Sequence, residues 1–369
     1  MSSSRTLSSR SRTLRAMRAN TVRWAECTVG PLIEMIPQIA RNGGLLRRGA
    51  RSGEPMSRCV LFALVLVFGL YGCPTPSPVP ATDAGAPSRL RIVNGSTEPM
   101  WIFWLGAEAG GTLPDAHQIL LAPGGHHDYA IPAGGLAGTR FWPGLGCDDT
   151  GNGCEIGQSG GPSADGFTCP SEGCAPPIDS KFEGTFGCLS GVLAEACQLN
   201  PSNGMPLPST DSWDTSLVDG YTLPFAVRVV GDCPGGPTGG AIDCSALALS
   251  ACPTSEDLSS GGVYPDLANL SLVAGGAGCY SDCGRLTFSQ RGNAPTFAPT
   301  AEQAQDYCCP TPPVSPEECR AGPVASTGYT DVVHRLCPQV YAYGYDDGVG
   351  LWSCPAGVRY EVTFYGRTP

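Results

Sequence analysis

The chain has 369 residues, 41% of them hydrophobic and only 15% charged, with a formal net charge of −11. Glycine (50) and proline (35) make up nearly a quarter of it, which weighs against long helices and for short strands joined by turns. Nineteen cysteines are far too many for a reduced cytosolic chain and point to an oxidising compartment. The length admits two average domains or one all-β domain with long loops.

Residues 1–55 differ from the rest, with ten arginines, three glutamates, many serines and no apolar periodicity. They read as a basic arm or, more simply, as an extension upstream of a true start at Met56, where a complete secretion signal (56–72) begins. Arg58 supplies its positive end, and Cys59 to Tyr71 is an apolar run of thirteen residues, too short for a comfortable membrane span. Leu70-Tyr71-Gly72-Cys73 is similar to a bacterial lipobox, whose cysteine is lipidated and becomes the first mature residue; the bulk of Tyr71 leaves plain cleavage open. Residues 73–88 then form a proline-rich tether that cannot build a core. The expected product is exported, either as a cell-surface lipoprotein or secreted, and monomeric. Residues 1–72 hold eleven arginines against three glutamates, so losing this +8 turns −11 into −19 for the remainder. So acidic a chain repels nucleic acid and anionic membranes, leaving an N-terminal lipid as its one route to a membrane. Neutral polymers or cationic partners suit it better.

In the body of the chain, Leu90 to Asn94 and Met100 to Leu105 read as the first strands, and Gln118 to Ile131 as a strand pair around Pro123-Gly124-Gly125. His126 and His127, adjacent on a strand, face opposite ways and read as surface residues; His117 and His334 are isolated. The stretch Asp211 to Gly220 packs three carboxylates into nine residues, and the apolar run Phe225 to Val230 after it reads as a strand. Asp214 and Asp219 are five apart, so they can share a cleft only if the chain turns or bulges between them. A simple hairpin turn at Asp219-Gly220 is the plain alternative. From 233 to 336 the chain is loop-rich and dense in cysteine, and Leu351 to Phe364 closes it with a final strand.

Cys27 and Cys59 leave with the front end and Cys73 is the lipidation candidate, so sixteen cysteines remain, from Cys147 to Cys354. An even number in an exported domain implies eight disulfides, whose connectivity sequence alone does not fix. Zinc at Cys279-x-x-x-Cys283 and Cys308-Cys309 is the competing idea, but no histidine lies in a ligand-like pattern with them, and no cofactor is expected.

The run Asp211-Ser-Trp-Asp-Thr-Ser-Leu-Val-Asp-Gly-Tyr-Thr-Leu-Pro224 closely resembles the signature of thaumatin-like proteins, where such a segment lines an acidic cleft. Three further segments occur in the family's order: Thr139-Arg-Phe-Trp-Pro-Gly-Leu-Gly-Cys147, the Pro-Pro and short strand holding Glu183, and Cys337 to Asp347. The resemblance covers residues 89–366 and implies a disulfide-rich, all-β thaumatin-like sandwich. It also implies pairs Cys147–Cys154, Cys169–Cys174, Cys233–Cys354, Cys244–Cys337, Cys252–Cys279, Cys283–Cys308 and Cys309–Cys319. Cys188 and Cys197, in an insertion, are left to pair with each other. A family bridge is missing at both ends, where Ser96 and Tyr365 stand.

On the same resemblance the cleft acids are Glu183 (preferred over Glu195), Asp214, Asp219 and Asp346, with Asp347 beside the last. Lys181 alternates onto the face of Glu183. The family's usual cleft arginine is replaced by Gly144, and Arg140 is expected to face elsewhere. The function implied is binding of a neutral polysaccharide, a β-1,3-glucan, by carboxylates accepting from sugar hydroxyls. Tyr221, Tyr343 and Tyr345 would offer ring faces or else pack in the core. The alternative is a weak endo-β-1,3-glucanase with Glu183 as acid and Asp214 or Asp219 as base or nucleophile.

Overall fold

The computed structural model describes residues 88–106, 111–157, 178–274, 278–287 and 296–367. The extension, the signal, Cys73, nearly all of the tether and the Cys169–Cys174 pair lie outside the described residues.

Two sheets carry the core. One has six strands in the order β13-β7-β6-β5-β2-β3: β2 Met100–Leu105, β3 Gln118–Leu121, β5 Leu136–Gly144, β6 Lys181–Phe186, β7 Thr210–Ser216 and β13 Trp352–Pro355. The other has five in the order β10-β9-β14-β1-β4: β1 Leu90–Asn94, β4 His126–Tyr129, β9 Phe225–Val230, β10 Ala241–Asp243 and β14 Arg359–Phe364. Among the described strands only β1 and β14 pair in parallel. Alternation sets the inner faces: Leu90 and Ile92 on β1, Tyr360, Val362 and Phe364 on β14, and Phe182 and Phe186 on β6 are all buried. The Tyr360 ring lies 5.2 Å from Trp213 and 5.8 Å from Phe182, and Tyr129 lies 4.8 Å from Phe141, so rings from both sheets interlock. Full burial of each such ring contributes on the order of 2–3 kcal/mol.

Two expected connections differ. The turn at Pro123 to Gly125 does not close a hairpin, because β3 pairs with β2 and β4 with β1; it carries the chain from one sheet to the other. The Asp219-Gly220 turn likewise passes from β7 to a short strand, β8 (Gly220–Tyr221), in a separate sheet ordered β11-β12-β8 with β11 Val273–Ala274 and β12 Gly278–Tyr280. In both places the strands on either side of the turn pair in different sheets rather than with each other.

The cysteine-dense region holds that small sheet and helices α1 Asp282–Thr287, α2 Glu302–Cys308, α3 Pro316–Ala321 and α4 Gly328–Leu336. Seven disulfides are present among the described residues: Cys147–Cys154, Cys188–Cys197, Cys233–Cys354, Cys244–Cys337, Cys252–Cys279, Cys283–Cys308 and Cys309–Cys319. The sulfurs considered for zinc are engaged in these bridges. Short helices and loops with little core of their own depend on such cross-links, worth about 2–4 kcal/mol each through the unfolded chain. The two positions that lack the family bridge still meet: a side chain on Gly366, next to Tyr365, would come within 3.1 Å of Ser96 Cβ, and Gly95 N–H donates to Phe364 O at 2.8 Å.

A buried network closes the start of the domain. Asp211 accepts from Arg89 Nη2 at 2.5 Å, from Gly187 N–H at 2.7 Å and from the Tyr360 hydroxyl at 3.0 Å. The guanidinium lies 5.4 Å from the centre of the Phe186 ring. Burial raises the Asp211 carboxyl above its ordinary range, with Arg89 and the hydrogen bonds opposing. His127, expected at the surface, is half-buried and bonded to Asp115 at 2.7 Å.

Candidate functional site

The outer face of the six-stranded sheet carries the candidate site. Arg140 on β5 lies directly opposite Glu183 on β6, which lies directly opposite Asp214 on β7. Opposed side chains in antiparallel pairs share a face, with Cβ atoms about 4.5–5.5 Å apart, so the three form one row. Inward neighbours Phe141, Phe182 and Trp213 are buried and fix the outward direction of this row. Arg140 therefore does face the site, contrary to expectation. It is four residues from Gly144 on one continuous strand, and even spacing places both on the same side. Phe103, opposite Trp142, stacks on it at 5.7 Å on this outer face.

One step along, Lys181 lies opposite Ser216 and its ammonium pairs with Asp219. The turn after β7 makes this possible: Gly220 N–H donates to Leu217 O at 3.2 Å, and Gly220 adopts φ 143°, where a side chain would strike the Cys279 carbonyl. The five-residue spacing is thus resolved by a turn, and Asp219 is committed to a cation while Glu183 and Asp214 lie side by side. Asp214 is pushed well above the usual carboxylate range by burial, then by the charges of Glu183 and Asp347, with Lys181 opposing.

The segment after Cys337 extends the site beyond β7. Leu217 N–H donates to Tyr341 O at 2.9 Å and Tyr341 N–H to Thr215 O at 3.1 Å. The two adjacent acids of this segment have different surroundings. Asp346 is only 2% exposed, bonded to His334 Nε2 at 2.8 Å and accepting from Ala342 N–H at 3.1 Å, so it anchors the segment internally. Asp347, at the first turn of α5 (Asp347–Gly350), is the acid whose charge acts on Asp214; it accepts from the Tyr341 hydroxyl at 2.6 Å. Tyr221 and Tyr343 pack in the core rather than offering open ring faces, and Tyr221 stacks on Tyr329 at 6.1 Å. Tyr345 is half-buried against the same core. The aromatic surface near the row is Phe103 and Trp142, which sequence reasoning missed although their alternation with Arg140 was there to be read.

Chemically, the row offers acceptor oxygens, a guanidinium and ring faces on a rigid sheet. Among the described residues no three His, Cys, Asp or Glu side chains are grouped to hold a metal ion.

Known proteins match over the same span. The thaumatin family model matches residues 94–366. A "Glucan endo-1,3-beta-glucosidase" of Prunus avium is 28% identical over 239 residues, covering 64% of this chain and 73% of that protein. "Pathogenesis-related protein 5" of Arabidopsis thaliana is 29% identical over 265 residues, covering 71% and 84%. With a matching family model, two interlocked sheets and seven bridges, the chain belongs to the thaumatin family.

Proposed function

We propose that this protein binds a neutral polysaccharide, a β-1,3-glucan, along the row Arg140, Glu183 and Asp214, with Asp347 at its edge. The observation that carries the reading is the direct opposition of Glu183 and Asp214 on one outer sheet face. Ionised carboxylates accept from sugar hydroxyls, and the Phe103–Trp142 stack gives a flat apolar surface for a ring. The similarity to a glucan endo-1,3-β-glucosidase supports the same class of ligand.

The raised Asp214 favours a second reading, weak hydrolysis, with Asp214 rather than Glu183 as the proton donor. Geometry weighs against it. Glycoside cleavage needs its two carboxyls to flank the scissile bond, whereas neighbours on one sheet both lie beneath a bound chain. The test is retention on insoluble β-1,3-glucan beside a reducing-sugar assay, with Glu183→Gln and Asp214→Asn. Retention without sugar release, weakened in both variants, supports binding; release abolished by Asp214→Asn establishes hydrolysis, and no retention at all overturns both.

A further inference from the structure

The connection between β6 and β7 is a disulfide-closed insertion that the polysaccharide reading does not use. Between Gly187 and Ser209 its only charged residue is Glu195, and its tips expose Leu193 (68%), Met205 (63%) and Leu199 (51%). The insertion is built rather than loose. Cys188 and Leu207 are buried with Ala137 at its base, and Cys188–Cys197 closes the first lobe. Cys188 N–H donates to Pro208 O at 2.9 Å, Gln198 N–H to Gly134 O at 2.8 Å and Leu207 N–H to Gln198 O at 2.8 Å. Apolar side chains held outward on a stapled loop gain nothing for folding, since they stay in water.

The place where the tether joins the domain gives this knob an orientation. Arg89, the second described residue, is bonded to Asp211, which also takes the Gly187 N–H, and lies over Phe186. These are the residues that bracket the insertion. Ser88 donates to Tyr129 O at 2.6 Å, and Leu189 N–H in the insertion donates to Ala133 O at 2.9 Å, so tether and knob leave the same end of the sandwich. Lys181 and Asp219 meet at the opposite end of β6. The fifteen residues 74–88, extended at about 3.1 Å each, reach only about 45 Å.

We propose that residues 187–209 form a lipid-contacting knob that seats the domain on an uncharged membrane surface. The orientation rests on Cys73 as the membrane end of the tether. The charge balance selects the occupant: a domain this acidic is repelled by anionic surfaces, and the nearly uncharged knob can approach a zwitterionic one. A lipid on Cys73 would hold the tether at the membrane, and an apolar contact of this kind would add affinity and fix how the domain sits on the surface. Seated so, the domain presents the Lys181 end of its groove away from the membrane.

The test is flotation with phosphatidylcholine vesicles of the mature chain, residues 73–369 carrying Cys73→Ser, which has neither the apolar signal run nor an acyl group and so reads the knob alone. It is compared with the same chain also carrying Leu193→Ser, Leu199→Ser and Met205→Ser. The first is expected to float and the second to retain at most about a tenth of that fraction, with equal retention on β-1,3-glucan by both. Equal flotation of the two chains, or flotation of neither, overturns the proposal. Sedimentation showing a dimer that the three serines abolish would overturn it in favour of a second copy of the chain.

Discussion

Lys181, the chain's only lysine, is buried to 1% exposure and pairs through Nζ with Asp219, an acid in the turn that leads from β7 to the small separate sheet. This contact joins the outer face of the main sandwich to the cysteine-rich region, and it places a cation at the end of the acidic row. Replacing Lys181 by Met leaves Asp219 uncompensated. Fully buried pairs broken in this way cost about 3–5 kcal/mol, and partial exposure of Asp219 reduces the expected loss to about 1–3 kcal/mol. Denaturant unfolding should show that loss, and Lys181→Met with Asp219→Asn should recover part of it. A double variant no better than the single would show that the pair is not the cause.

Asp214 gives the two functional readings opposite signs against pH. Its carboxyl is raised well above the ordinary carboxylate range by burial and by Glu183 and Asp347. If the row binds through ionised acceptors, glucan retention falls as pH drops through this raised value, well before an unperturbed carboxylate near 4 would protonate. Hydrolysis by Asp214 as proton donor instead falls as pH rises through it. Asp214→Asn should flatten the binding profile and weaken retention about tenfold; an unchanged profile would remove Asp214 from the site.

Asp346 and Asp347 are adjacent in sequence and differ in role. Asp346 is bonded inside to His334 and the Ala342 N–H, whereas Asp347 is 45% exposed beside Tyr341. Asp346→Asn should lower stability by about 1–3 kcal/mol, through loss of charge-assisted bonds in a buried place. Asp347→Asn should leave stability within about 0.5 kcal/mol and weaken glucan retention several-fold. Reversal of these two effects would restore Asp346 to the cleft.

Asp282 is a buried acid far from the row in sequence and function. Burial pushes its carboxyl up to about 8, helped by Glu256 and opposed by the Thr327 hydroxyl bonded to it at 2.6 Å. The folded state therefore holds a proton that the unfolded chain gives up near pH 4. Stability from this group is full below that pH and is lost as pH rises towards 8, at no more than about 1.4 kcal/mol per pH unit. Urea midpoints between pH 5 and 8 should fall with pH in the parent and less steeply in Asp282→Asn. Parallel slopes would show that another group controls the trend.

The strands and the sulfur framework were legible in the chain. Runs of apolar, β-branched and aromatic residues bounded by turn residues placed Leu90–Asn94, Met100–Leu105 and Phe225–Val230 on the residues where they are found, because such side chains suit a pleated, partly buried strand. The resemblance supplied six of the seven described bridges and left Cys188 and Cys197 to form the other, and the joint loss at Ser96 and Tyr365 matched two positions that do meet in space. Other matters lay beyond local pattern. Whether Pro123 to Gly125 or Asp219-Gly220 closes a hairpin depends on which distant strand each flank prefers. That Arg140, Glu183 and Asp214 share one row is a matter of register across three strands, set by inward packing of Phe141, Phe182 and Trp213. The choice between Asp346 and Asp347 turned on which of two adjacent carboxyls the His334 ring and the Ala342 amide could reach. Sequence carries periodicity because backbone geometry is local. Register, burial and the company of each carboxyl belong to the assembled sheets, since the residues that impose them are far apart along the chain.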